Sequence, residues 1–166
     1  MFANKALQIV GYLVLMSYGR ATRLLLTLLA VAFVVSVVHY TDNYVNYDDY
    51  PQPGPGDLPA PSATVVGLSW FVFSASGALG VWLWLRRRIT AAAVALTGYS
   101  VSGLIGIGHY LVPGATEMVW WRQLHVVTDI GCGVAVFVLA VWAARQAPRL
   151  TAVTPPKPAV RTTSLG

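Results

Sequence analysis

Residues 23–51 read RLLLTLLAVAFVVSVVHYTDNYVNYDDYP. Leu24 to Val38 is an apolar-rich run behind the basic residues Arg20 and Arg23. The thirteen residues that follow hold one histidine (His39), three aspartates (Asp42, Asp48, Asp49), two asparagines and four tyrosines. So abrupt a change reads as a helix leaving lipid for water. At about 1.5 Å per residue, residues 23–40 just span a hydrocarbon core of about 30 Å. A basic flank before an apolar run also resembles a signal peptide. Here His39-Tyr40 follows Val38 in place of a small-x-small cleavage pattern, which points to an uncleaved span.

Three more apolar runs follow, at residues 63–85, 89–111 and 118–144. Of the 166 residues 56% are hydrophobic and 10% charged, against about 25% charged in soluble domains. The deficit implies lipid as the main solvent. The expected architecture is an all-α integral membrane protein, one four-transmembrane-helix bundle over residues 23–145 in the cell (plasma) membrane. The net charge of +5 is a matter of topology rather than of nucleic-acid binding. Lys5, Arg20 and Arg23, then Arg86, Arg87 and Arg88, then Arg145, Arg149, Lys157 and Arg161 all fall on one side of a four-pass chain. Asp42, Asp48, Asp49, Asp57 and Glu117 fall on the other side, with Arg122 as the one base. Basic flanks mark the cytoplasmic side, so both termini are expected there.

Residues 1–22 form a separate N-terminal segment, read either as an interfacial helix or as a misassigned start with Met16 as the first residue. The loop 41–62 ends in a proline-rich connector, because proline fixes φ and removes a backbone donor. Residues 146–166, rich in proline and threonine, are expected to be a disordered cytoplasmic tail. Trp82 and Trp84 are expected at one membrane interface, and Trp120, Trp121 and Arg122 at the other. The lone Cys132 excludes an intrachain disulfide and cysteine-cluster metal sites.

Membrane helices pack through small residues, because lipid is as apolar as leucine. Such residues form stripes at helical spacing: Ala32 and Ser36 in the first span, Gly98, Ser102 and Gly106 in the third, and Gly133, Ala140 and Ala144 in the fourth. His39, His109, and His125 with Asp129 continue these three stripes. Periodicity therefore directs all three imidazoles to a shared interior near one end of the bundle. Asp129 lies eight residues beyond Trp121, about 12 Å below the interface. An ionised carboxylate there costs about 2.5–3.5 kcal/mol or more, which calls for a partner. His125, one turn away, is the expected one, with the carboxylate fixing its tautomer. The alternative is an aspartate that only ties helices together. His39 with Asp42 (i, i+3) and with Asn43 (i, i+4) share a face if the helix continues past Val38.

His39, His109, His125, Asp42 and Asp129 are the candidate site. Three imidazoles with a carboxylate suit zinc or another divalent metal, with Asp129 either ligand or orienting group. Two histidines on facing helices also suit haem b. No H-E-x-x-H, G-x-S-x-G, phosphate-loop or dinucleotide motif is present. Two function classes follow. One is a small polytopic membrane protein with a polar, metal-capable site at its extracytoplasmic end. The other is a non-catalytic accessory subunit that docks on partner membrane subunits, or on copies of itself, through its small-residue faces. The lipid bilayer is the partner common to both.

Overall fold

The computed structural model describes residues 17–54 and 60–151. Four helices dominate: α1, Tyr18–Val45; α2, Ala63–Leu85; α3, Ile89–Leu104; and α4, Trp120–Thr151. Short 3-10 segments cover Tyr47–Asp49, Ile105–Leu111 and Ala115–Glu117. The α3 helix with its 3-10 extension, and each of the other three, is long and apolar enough to cross a membrane. The helices form an all-helical bundle in which α1 packs on α2 and α4, and α3 packs on α2 and α4. One end collects the histidines and the other the arginines, and the two are called here the histidine end and the arginine end.

Besides α1 beginning at Tyr18, inside the expected N-terminal segment 1–22, the helices depart from the expected spans at three places. First, α1 runs past residue 40 to Val45, with Asn46 as its C-cap. No proline or glycine interrupts it before Pro51, so the polar residues 39–45 are helical and their i, i+3 and i, i+4 spacings are real. Second, the third span keeps its expected bounds, 89–111, but changes from α to 3-10 at Ile105. Gly103, Gly106 and Gly108 crowd that point, and glycine is a poor helix former. Third, α4 continues through Pro148 to Thr151, so residues 146–151 of the expected disordered tail are helix. The segment 1–16, the connector residues 55–59 and the tail 152–166 lie outside the described residues.

The tightest helix contact is between α3 and α4. A Cβ on Gly103 would collide with the Asp129 carbonyl, and one on Gly133 would lie 2.8 Å from the Ser100 carbonyl. Gly98, expected on the same stripe, instead faces Ser76 of α2. Ala144 is exposed, and Ala140 and Ala143 are buried in its place. The α4 stripe thus drifts, as a period of 3.6 requires over several turns.

At the arginine end Trp84 is fully buried rather than an interface anchor. Its indole Nε1 donates to Thr22 Oγ1 (2.9 Å), and its ring stacks on Tyr18. Arg87 carries the one positive φ of a non-glycine residue among the described residues, at 60°. Its guanidinium lies 3.4 Å from the Tyr18 ring centroid and donates to the Leu150 carbonyl (3.0 Å). Those contacts hold a conformation that L residues rarely adopt.

Candidate functional site

The last two turns of α1 and its C-cap carry His39, Asp42, Asn43 and Asn46 on one inward face. His39 and Asn43 are buried, and the Asp42 side chain is nearly so. The 3-10 extension of α3 brings His109 over them, and the first turns of α4 bring Arg122 and His125. Tyr50, after the Tyr47–Asp49 turn, folds back as a buried lid.

His39 is the common neighbour of the other two imidazoles. Its ring centroid lies 5.3 Å from that of His125 and 5.6 Å from that of His109, edge-on to both. The Nδ1 atoms of His39 and His125 are 3.2 Å apart, a hydrogen bond in which one ring donates and the other accepts. The Nε2 of His125 lies 3.3 Å from Asp42 Oδ2, within ion-pair distance. The angle there is too poor for a hydrogen bond, so that Nε2 has contact with the carboxylate but no aligned acceptor. His109 Nε2 is 3.0 Å from Asn43 Nδ2 and accepts from that amide, and its ring lies 5.0 Å from Tyr50.

Asp42 is the hub. Its Oδ2 accepts from Arg122 Nε (2.9 Å) and the Tyr50 hydroxyl (2.6 Å), and its Oδ1 accepts from Asn46 Nδ2 (2.6 Å). Arg122 also reaches Asp49, by side chain (3.1 Å) and carbonyl (3.3 Å), and lies against the Tyr50 and Trp121 rings. Burial and the hydrogen bond to Asp42 push the Tyr50 hydroxyl well above the ordinary phenol range. It is therefore a fixed donor at neutral pH.

Three expectations are corrected here. Asp129 does not orient His125. Its carboxylate is 1% exposed, and Oδ2 has no hydrogen-bond partner. His125 turns both ring nitrogens to α1 instead, Nδ1 to His39 and Nε2 toward Asp42. Arg122 is not an interface marker but the buried counter-ion of Asp42. Metal binding by the five residues is not supported either. Among the described residues no three or more His, Cys, Asp or Glu side chains are arranged to hold a metal ion. In this arrangement both Asp42 oxygens accept from donors, His109 Nε2 accepts from Asn43, and the Nδ1 atoms of His39 and His125 bond each other.

Arg122, Tyr50 and Asn46 were not legible as site members. Only the acid count of the 39–51 stretch, set against one base on that side of the chain, hinted that Arg122 would be drawn in. Beside the cluster, an apolar cleft of about 360 Å³ opens between α1 and α2, with Tyr40 in its wall. No protein-family model, curated protein or solved structure matches the chain.

Proposed function

We propose that this chain is a small polytopic membrane protein whose extracytoplasmic bundle end is an acid–base site, with Asp42, His125 and His39 as a proton-relay string. The observation that carries the reading is the buried sequence of contacts Asp42 Oδ2, His125 Nε2, His125 Nδ1, His39 Nδ1. Topology is supported by the arginine end. Arg20, Arg23, Arg86, Arg87, Arg88, Arg145 and Arg149 flank the spans opposite the histidines, which favours a cytoplasmic position for that end and for both termini.

Electrostatics select one tautomer pattern. A bare Nε2 lone pair on His125 would face the Asp42 carboxylate, and a proton there is attracted to it. With His125 protonated at Nε2, its Nδ1 must accept, so His39 donates from Nδ1. His39 is then left with its lone pair on Nε2, the position of a general base. A proton taken up at His39 Nε2 lets the His39 Nδ1 proton pass to His125 Nδ1. The resulting imidazolium stands beside Asp42. Asp42 and Asp49 carry two negative charges against one on Arg122, so the cluster has one negative charge left to stabilise that cation.

Divalent metal and haem b are the competing chemistry of the same histidines. The test is metal content and the visible spectrum of protein purified without chelators, beside a variant with His39, His109 and His125 all changed to alanine. Stoichiometric metal, or a haem band, lost in that variant would overturn the acid–base reading. On that reading neither protein carries either one. In Asp42→Asn the His125 proton is expected to move from Nε2 to Nδ1 in histidine nitrogen spectra, and an unchanged pattern would remove Asp42 from the relay.

A further inference from the structure

The cleft between α1 and α2 sits directly beside the relay and has no part in it. Its volume of about 360 Å³ falls within the range of small-ligand sites, about 300–1,000 Å³. Its lining is graded along its length. Val37, Leu68, Trp70 and Phe71 make an apolar, aromatic wall, and Thr41, Tyr44 and Thr64 bring hydroxyls. Those hydroxyls belong to the last turns of α1 and the first turn of α2, at the histidine end. Gly67 forms part of the floor, where a Cβ would come within 3.0 Å of the Tyr44 ring.

Tyr40 joins the two features. It lines the cleft, its ring meets His39 edge-on at 5.5 Å, and its hydroxyl donates to the Ser102 carbonyl (3.0 Å) across the bundle. One buried side chain therefore borders both the cleft and the relay.

We infer that this cleft is the chain-binding subsite of the relay, and that the site's ligand is an amphiphile with a single long apolar chain. The apolar wall takes the chain and the hydroxyl-bearing mouth takes the polar head, beside the histidines. Val94 and Val138, exposed on other faces of the bundle, are not part of the cleft. The gradient from aromatic wall to hydroxyl mouth is complementary to a molecule with two chemically distinct ends. The inference rests on the acid–base reading for what happens to the ligand, and on the cleft alone for its binding.

The experiment uses the full chain in phosphatidylcholine nanodiscs with a diazirine-bearing single-chain fatty acid as photolabel and the unlabelled fatty acid as competitor. Peptide mass spectrometry maps the adducts. Labelling at Tyr44, Gly67 and Phe71 is expected to saturate, to be competed away, and to exceed that at Val94 and Val138 several-fold. Gly67→Leu and Thr64→Trp each fill part of the cleft. Each is expected to weaken half-saturation about tenfold, the effect of excluding about two buried methylenes. Labelling that is non-saturable and even over all exposed faces would overturn the inference, as would unchanged saturation in both filled variants. Asp42→Asn is expected to keep saturable labelling, because Asp42 does not line the cleft. Failure of the acid–base reading would show in the histidine spectra and leave the labelling as it is.

Discussion

The Asp42–Arg122 pair gives the sharpest perturbation. Both side chains are at least nine-tenths buried, with Nε and Oδ2 2.9 Å apart. Asp42→Ala removes the acceptor for Arg122, Tyr50 and Asn46 at once. It leaves a buried guanidinium with only Asp49, whose side chain is 64% exposed. Breaking a buried pair from one side costs about 3–5 kcal/mol, because the remaining charge is stranded. Replacing both partners by apolar groups of similar volume is often close to neutral. Arg122→Met alone should cost somewhat less than Asp42→Ala, since Asp42 keeps Tyr50 and Asn46 as donors. The double variant Asp42→Ala, Arg122→Met should be less destabilised than Asp42→Ala alone, with a coupling energy toward the upper end of about 0.5–3 kcal/mol. Reversible unfolding in mixed micelles, followed by tryptophan fluorescence, measures all four corners of the cycle. Additive single costs would refute the reasoning and show that Arg122 is solvated independently of Asp42.

Further expectations concern other parts of the fold. Tyr50 keeps its proton when folded, because of burial and the contact with Asp42, while an unfolded tyrosine ionises near pH 10. The stabilisation is therefore complete below about pH 10 and falls as pH rises beyond it; the decline should be shallower in Tyr50→Phe in a thermal series at alkaline pH. Gly133→Ala should destabilise by about 1–3 kcal/mol through overpacking, because its Cβ would lie 2.8 Å from the Ser100 carbonyl. Gly131→Ala, two residues away with nothing within 4 Å, should be neutral or stabilising in the same unfolding assay. Arg87→Gly and Arg87→Ala lose the same contacts to Tyr18 and Leu150, but only glycine is relaxed at φ 60°. The glycine variant should be the more stable by about 1 kcal/mol, and equal stabilities would show that the left-handed backbone there is unstrained.

The bundle was legible because long apolar runs broken by polar loops became four helices long and apolar enough to cross a membrane. Small-residue spacing also brought Ser36, His39, Ser102, His125 and Asp129 correctly to the interior. Partner choice inside the site was not legible. Nothing in the spacing of Asp42 and Arg122, eighty residues apart, announces a buried pair. The i, i+4 rule made Asp129 the natural partner of His125, yet His39 and Asp42 of α1 face its two ring nitrogens. Trp84 misled for a similar reason. An aromatic beside arginines reads as an interface anchor, whereas Thr22 and Tyr18 of α1 capture its indole inside. The end of the fourth span was misplaced at Pro148, which α4 passes through, while the third span keeps its bounds and only its change to 3-10 within the glycine-rich 103–108 stretch went unread.

The relay stands or falls on where two protons sit. Nitrogen NMR of histidine-labelled wild-type protein in nanodiscs, at neutral pH, reads both. The account predicts His125 protonated at Nε2 and His39 at Nδ1, with a hydrogen-bond coupling between the two Nδ1 atoms that lie 3.2 Å apart. His125 protonated at Nδ1, or the absence of any coupling between the rings, would contradict it.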